Sequence, residues 1–199
     1  MSQELYLMRH AETLFNQLHR IQGFSDSPLT EKGIKDAQQV GESLSQSGIT
    51  FDHAYASTQE RACDTLELVS SLSYERVKGL KEWNFGVFEG ESETLNPPQD
   101  PKKHSYGEFF VQFGGESDRQ VQKRMVQTLT EIMERPHHQK VLVVSHAGAI
   151  FMFLRKWIGW DQMNRKFNFQ GFKNCSILKF KFENHRFEFQ NIINPLQKK

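Results

Sequence analysis

Two histidines stand directly behind apolar runs. "LYLMRH", 5–10, ends in Arg9-His10, and "VLVVSH", 141–146, ends in Ser145-His146. A third basic position, Arg61, follows the run "FDHAYAS" at 51–57. Two arginines and two histidines in such places suit an anion. Guanidinium forks bind phosphate oxygens bidentately. The same cations repel a divalent metal, and neither an HxxH pattern nor a carboxylate cluster accompanies the histidines, so no metal is expected. A neutral imidazole is a competent nucleophile toward phosphorus, and nearby arginines disfavour its protonated form. A hydrogen bond from one ring nitrogen to a backbone carbonyl would aim the other. The second histidine, once protonated, would donate to the phosphoryl oxygens beside the arginines.

Breaking a phosphate ester also requires a proton for the leaving oxygen. "LKEWNFGVFEG", 80–90, offers Glu82 and Glu89 beside Trp83, Phe85 and Phe88. A carboxyl among such rings can serve as a general acid. Taken alone, each glutamate reads equally well as a surface residue.

These residues act together only if the chain brings them together. "LYLM" reads as a short buried strand. Thr30-Glu31-Lys32-Gly33 opens a helix with Ile34, Ala37, Val40 and Leu44 at helical spacing. "FDHAYA" alternates as a second strand, and the capping-box pattern Ser57-Thr58-Gln59-Glu60 starts a helix that turns Ala62, Leu66 and Val69 inward. A short strand is expected around Arg76 to Gly79. Residues 89–115 carry Pro97, Pro98 and Pro101 and the aromatics Tyr106, Phe109, Phe110 and Phe113, an excursion from the core with one short helix. Ser117-Asp118-Arg119-Gln120 is another capping box, followed by Val121, Met125, Leu129 and Ile132. Val141 to Val144 is uninterrupted, as in a strand buried on both faces, and "AIFMFLRKWI" is a mostly buried helix. "SILKFKFENHRFEFQNII" alternates around Asn184-His185 as a hairpin. The alternation predicts an α/β fold, a three-layer α/β/α sandwich on a mostly parallel sheet. Ligands of such sheets bind outside the carboxyl ends of the strands, where Arg9, His10, Arg61, Ser145 and His146 all fall.

With 199 residues, 37% hydrophobic and 25% charged, the chain suits one domain over 1–199. A net charge of +1 exerts no global pull toward nucleic acid or membrane. The basic residues from Arg165 and Lys166 through Lys198 and Lys199 read as a solvated surface, since Lys179 and Lys181 alternate with phenylalanines. Cys63 and Cys175 are the only cysteines, too few for a disulfide framework. The start "MSQELYLMRHAET" shows no leader pattern, and "AGAIFMFLRKWIGW" is too short to span a bilayer. A cytoplasmic location is expected. Oligomeric state leaves no sequence signal.

The landmarks together resemble the histidine phosphatase superfamily, in the branch named for cofactor-dependent phosphoglycerate mutases. "RHAET" with Asn16, "QGFSDSPLTEKG", "STQERACDT", "LKEWNFGVFEG", "GGES" and "VLVVSHAG" match that family's motifs in order over residues 5–148. The resemblance implies a phosphoglycerate mutase-like fold with no cofactor and no metal. It makes His10 the nucleophile that becomes phosphohistidine, and Arg9, Arg61 and His146 its phosphate pocket. Asn16 and the backbone at Ala147 would add contacts. Glu82 rather than Glu89 would be the proton donor and later the base that activates water. Gln22, Gly23 and Phe24 would line the substrate side. Three positions depart from the pattern: Ala11 stands where glycine is usual, Phe88 where tryptophan is commoner, and Ala147 where glycine is frequent.

The expected activity is that of a phosphomonoesterase acting on a small phosphate ester. The alternatives are a phosphoglycerate mutase and a phospho-ligand binding module without catalysis. The modest insertion after the acid motif, the tail "NPLQKK" and the segment "QGFSDSPLT" look more like the family's phosphatases. In the excursion, Tyr106, Phe109 and Phe110 cover an apolar leaving group or form local core. Lys102, Lys103 and His104 hold a second anionic group or are simply solvated.

Overall fold

Val141 to Val144 lie at the heart of the molecule, each with no exposed surface. In the computed structural model, which describes residues 2–100, 104–167 and 171–196, they belong to strand β4 (Lys140–Ser145). It pairs in parallel with β1 (Gln3–Arg9) on one side and β2 (His53–Ser57) on the other. β3 (Tyr74–Val77) extends the parallel part beyond β2. On the far side β5 (Ile177–Glu183) runs antiparallel to β1, and β6 (Arg186–Ile193) closes the hairpin. The order is β3-β2-β4-β1-β5-β6, a mostly parallel six-stranded sheet among the described residues.

Side-chain alternation along these strands builds two cores. Leu5, Leu7, Val141 and Val143 point to one face, where α4 (Asp118–Met133) brings Val121, Met125, Leu129 and Ile132 and α5 (Ala147–Trp157) brings Ile150, Phe153 and Leu154. Tyr6, Met8, Leu142 and Val144 point to the other. There α2 (Glu31–Gln46; α1, Leu14–Gln17, precedes it) supplies Ala37, Val40 and Leu44, and α3 (Glu60–Val69) supplies Ala62 and Leu66. Each fully buried aliphatic contributes ~1.5–3 kcal/mol, so strands covered on both faces must read as unbroken apolar runs. α6 (Trp160–Phe167) follows α5. Among the described residues no helix is long and apolar enough to cross a membrane.

Several local expectations change. Ile34 is exposed and Gly33 takes the inward position of α2. Ser57 ends β2 instead of capping α3; its hydroxyl accepts the Gln59 N–H at 3.3 Å, and Gln59 caps without a side-chain bond. The strand expected at 76–79 starts earlier, and Lys78–Leu80 is a 3₁₀ turn. Among its described residues the excursion holds two 3₁₀ turns, Glu93–Leu95 and Phe109–Phe113, and another lies just ahead of it at Gly86–Phe88. Ser117 does form the capping box with Gln120. Asn184 and His185, both at positive φ (51° and 59°), make the hairpin turn, and Lys179 and Lys181 lie half-buried between inward phenylalanines. Lys102, Lys103, Lys198 and Lys199, and the side chains of Arg165 and Lys166, lie outside what the structure describes.

Gly33 marks a close approach. A Cβ there would stand 2.2 Å from the Glu12 carbonyl oxygen, two residues beyond His10. Alanine normally favours a helix over glycine by about 1 kcal/mol. Here Gly33→Ala is expected to destabilise by ~1–3 kcal/mol, read as a lower midpoint in urea. A raised midpoint would refute the close-packing assignment.

Candidate active site

The register of β1 against β4 sets the first juxtaposition. Arg9 lies opposite Ser145, so the next residues, His10 and His146, leave adjacent strands side by side. Their ring centroids are 5.2 Å apart. Beyond β1 the chain turns to the face of α2, and beyond β4 to that of α5. The gap is a switch point of the kind where open α/β sheets bind ligands. α3, following β2, delivers Arg61 from its first turn.

A cavity of about 510 Å³ opens there, lined by Arg9, His10, Asn16, Gln22, Gly23, Glu82 and Ala147 among others. Arg61 and His146 have no exposed surface and lie beneath it, His146 against the His10 ring and Arg61 against the Gly23 carbonyl. The expected cradle residues thus meet at one place. Among the described residues no three His, Cys, Asp or Glu side chains gather as a metal site would require.

His10 Nδ1 is 2.7 Å from the Ala11 carbonyl oxygen. A carbonyl only accepts, so Nδ1 carries the hydrogen and Nε2 the lone pair. Burial, then Arg61 and Arg9, hold the His10 imidazole well below its ordinary pKa. Burial, Arg61 and His10 do the same to His146. The condition that His146 be protonated is therefore not met in the resting form, since burial and the surrounding cations disfavour the added proton. Both of its ring nitrogens are buried without a partner among the described residues, and so are Arg9 Nε and Arg61 Nε. A buried unpaired polar atom costs ~1–3 kcal/mol. Several such atoms beside the His10 lone pair make a place that can receive an oxyanion.

The arginines are already partly engaged. Arg9 Nη1 donates to the Phe172 carbonyl at 2.5 Å. Arg61 Nη1 donates to the Ser25 carbonyl at 2.8 Å and to Asp26 Oδ1 at 2.9 Å, and Nη2 to the Gly23 carbonyl at 2.9 Å. Arg61 keeps Nε and one Nη2 hydrogen for a ligand. Asn16 Oδ1 accepts from Thr13 N–H and Asn174 Nδ2, which leaves its NH₂ as a donor to the cavity. Gln22 lines the cavity as expected, but its NH₂ donates to the Thr13 and Ser27 hydroxyls, so only its oxygen is left for a substrate. Phe24 is absent from the cavity wall and lies under Lys81, whose Nζ is 3.6 Å from the ring centre.

Glu82 and Glu89 take different tasks. Glu82 sits at the start of α5, with Oε1 accepting from Trp83 and Ala149 N–H at 2.8 Å each and Oε2 from Gly148 N–H at 3.0 Å. Backbone amides hold its oxygens, while Trp83 and Phe85 of the expected aromatics line the same cavity. Glu82 leaves Ala147 as the first helix amide with no partner among the described residues, at the cavity wall. Glu89 accepts from Phe24 and Ser25 N–H, the Ser25 hydroxyl and Phe85 N–H. It ties down the loop of Gly23, which has φ of +56° and where a Cβ would meet Glu89 Oε1 at 2.3 Å. Of the excursion's aromatics, Tyr106 lines the cavity, whereas Phe110 is fully buried in the core and Phe109 packs on it. His104 lines the cavity, stacked on Trp160 at 3.7 Å between ring centres. Ala11 places its methyl in the α2–α3 core, away from the cavity.

Supporting residues went unseen in the sequence. Thr65 Oγ1 accepts from Ala11 N–H at 2.9 Å. Asn174 Nδ2 donates to the His10 carbonyl at 3.0 Å. Gln59 joins the Gly23 carbonyl to the Glu82 N–H. Thr65 and Gln59 stand in the motif around Arg61, but as helix positions nothing marks them as wiring. Asn174 lies in a loop without pattern.

Residues 5–195 match the model of the histidine phosphatase superfamily (branch 1). A Proteus mirabilis (strain HI4320) protein named "Probable phosphoglycerate mutase GpmB" is 34% identical over 91% of this chain and 86% of its own. The Entamoeba histolytica phosphoserine phosphatase, solved with 3-phosphoglyceric acid, superposes with a TM-score of 0.78 at 29% identity, covering 96% of this chain and 97% of that one. A Bacillus anthracis str. Sterne phosphoglycerate mutase gives 0.78 at 26% identity, covering 95% and 92%.

Both histidines are held neutral in the folded chain and regain an ordinary pKa of about 6.5 on unfolding. The unfolded chain then binds more protons at acid pH, so their contribution is present above that value and is lost as pH falls toward the folded-state values. The ligand-free protein is expected to lose up to ~1.4 kcal/mol per pH unit for each histidine between about pH 6.5 and 5.5, measured by urea unfolding at constant ionic strength. A His10→Gln/His146→Gln double variant should flatten that slope. An equal slope in both proteins would show that these imidazoles are not held neutral.

Proposed function

Because the chain belongs to branch 1 of the histidine phosphatase superfamily, we propose that it is a phosphomonoesterase that hydrolyses a small phosphorylated substrate through a phosphohistidine on His10. The observation that carries this reading is the convergence of His10 Nε2, its lone pair fixed outward by the Ala11 carbonyl, with unpartnered buried nitrogens of Arg9, Arg61 and His146.

In the first step Nε2 attacks phosphorus. The N–P bond forms as the ester P–O bond breaks, and Glu82 gives its proton to the departing alcohol oxygen. Glu82 Oε1 carries two N–H bonds and Oε2 one, which leaves Oε2 a lone pair for that proton. In the second step water attacks phosphorus and Glu82 takes its proton. The N–P bond breaks, and phosphate leaves a neutral His10 and a protonated Glu82. Arg9, Arg61, His146, Asn16 and the Ala147 amide hold the phosphoryl oxygens, as preorganised donors do for developing charge. Such catalysis is mostly positioning and electrostatics.

A phosphoglycerate mutase is the second reading, favoured by the names of the curated relatives. It has to hold a bisphosphorylated intermediate. Beyond the cradle, the described cavity wall offers one guanidinium, Arg20, one carboxylate, Glu93, and the imidazole of His104, with Phe85, Tyr106, Phe151 and Trp160. That wall has no surplus positive charge for a second phosphate, which supports hydrolysis.

Rapid quenching with a radiolabelled phosphate ester should place acid-labile label on the wild-type protein. His10→Ala should carry none and lose ~10³-fold or more in turnover. Arg9→Ala should lose ~10²–10³-fold in kcat. Product analysis with 3-phosphoglycerate, with and without 2,3-bisphosphoglycerate, should yield free phosphate in both cases. Efficient primer-dependent isomerisation with little phosphate would establish the mutase instead, and unlabelled wild-type protein would dismiss the phosphohistidine.

A further inference from the structure

Glu82 is gripped by its backbone as well as by its carboxylate. Its N–H donates to Gln59 Oε1 at 2.8 Å. Its carbonyl accepts from Arg124 Nη2 at 2.7 Å. Arg124 comes from the middle of α4, a helix that otherwise contributes core, and no motif in the sequence marks it.

All five N–H groups of this guanidinium are engaged. Nη1 donates to the carbonyls of Gly79 at 3.1 Å and Lys81 at 2.6 Å. Nη2 divides between Glu82 and Glu116 Oε2, the latter at 2.8 Å, and Nε reaches Glu116 Oε1 at 2.8 Å. Glu116 is itself anchored to the same loop: its Oε2 accepts the Asn84 N–H at 3.0 Å, and its carbonyl accepts Trp83 Nε1 at 2.7 Å. A planar, always-charged fork is suited to fixing several carbonyls at once, and lysine cannot reproduce it. Every bond from Arg124 lands on residues 79–82 or on the glutamate that fixes 83–84. A small displacement of a reacting group costs much in rate; this clamp hydrogen-bonds the backbone of the proton donor directly and makes no hydrogen bond to Arg9, His10, Arg61 or His146, although its charge is felt at His146.

We propose that Arg124, braced by Glu116, is a positioning residue that holds Glu82 Oε2 at the leaving oxygen. The inference rests on the phosphatase reading. It predicts a specific defect: a loosened clamp disables proton donation while His10 and its oxyanion donors stay in place.

The test compares two esters by kcat/KM, which reports phosphoryl transfer to His10. An alkyl phosphate such as glycerol phosphate expels a basic alkoxide and needs the proton. p-Nitrophenyl phosphate expels an acidic phenol and needs it little. Arg124→Ala and Arg124→Lys are expected to lose ~10²-fold on the alkyl ester and under ~3-fold on the aryl ester. Glu82→Gln should show the same split, and adding Arg124→Ala to Glu82→Gln should cost nothing further on the alkyl ester. Should Arg124→Ala not fold, Glu116→Gln, which removes the charge and turns one of the two acceptor oxygens into an NH₂ donor, is expected to weaken the brace and show the split in milder form. Equal losses on both esters, or none on either, would overturn the clamp and leave the phosphatase reading intact. Wild-type protein that hydrolyses neither ester would remove the reading itself.

Discussion

Two guanidinium groups and two buried imidazoles meet at one cavity, and bringing them together is costly. Removing an ion from water costs several kcal/mol even after relaxation, and like charges repel more strongly where water is scarce. The structure meets this in three ways. Arg61 is neutralised by Asp26 and by carbonyls of Ser25 and Gly23. Arg9 leans on the Phe172 carbonyl. The imidazoles stay neutral, driven there by burial and by the arginines. What remains is a set of buried donors whose missing partner is an oxyanion, around a ring nitrogen with a free lone pair. Burial and the same repulsion that makes the free pocket unfavourable keep a lone pair on His10.

Holding such a pocket together takes more than the residues that touch the ligand. Loops 22–26 and 79–90 meet over it, and each borrows side chains from elsewhere. Glu89 binds the amides of Phe24 and Ser25. Gln59 ties the Gly23 carbonyl to the Glu82 amide. Arg124, braced by Glu116, binds the carbonyls of Gly79, Lys81 and Glu82. Irregular backbone cannot satisfy its own polar groups as a helix or sheet does, so buried loops rely on long polar side chains. Those side chains transmit the rigidity of α3 and α4 to the site.

The elements with the simplest physics were legible. β4 reads as a buried strand because four consecutive apolar residues leave little else for it to be, and α4 announces itself by a capping box and helical spacing. The hairpin at Asn184-His185 follows from alternation and a turn pair that tolerates positive φ. Reading faltered where tertiary packing overrode the local signal. Ser57 carries a cap pattern, yet β2 runs through it. Ile34 has the apolar character of an inward residue, but the close contact of Gly33 with Glu12 turns it out. Phe110 and Tyr106 stand four residues apart with similar character, and one joins the core while the other faces the cavity.

The residue types of the site, and their positions behind predicted strands, were determined by the sequence alone, because the Arg-His and Ser-His pairs and the acid motif are local features of the chain. Their meeting was decided only in three dimensions. Strand order and register, fixed by which faces could be buried together, set His10 beside His146. Hydrogen bonding then decided the rest: Arg61 came only partly free, Gln22 kept only its oxygen for the cavity, and Glu82 was placed on the first turn of α5 while Glu89 became a brace. A one-dimensional pattern specifies what a residue can do. Which partner has already claimed its donors and acceptors depends on neighbours that only folding supplies.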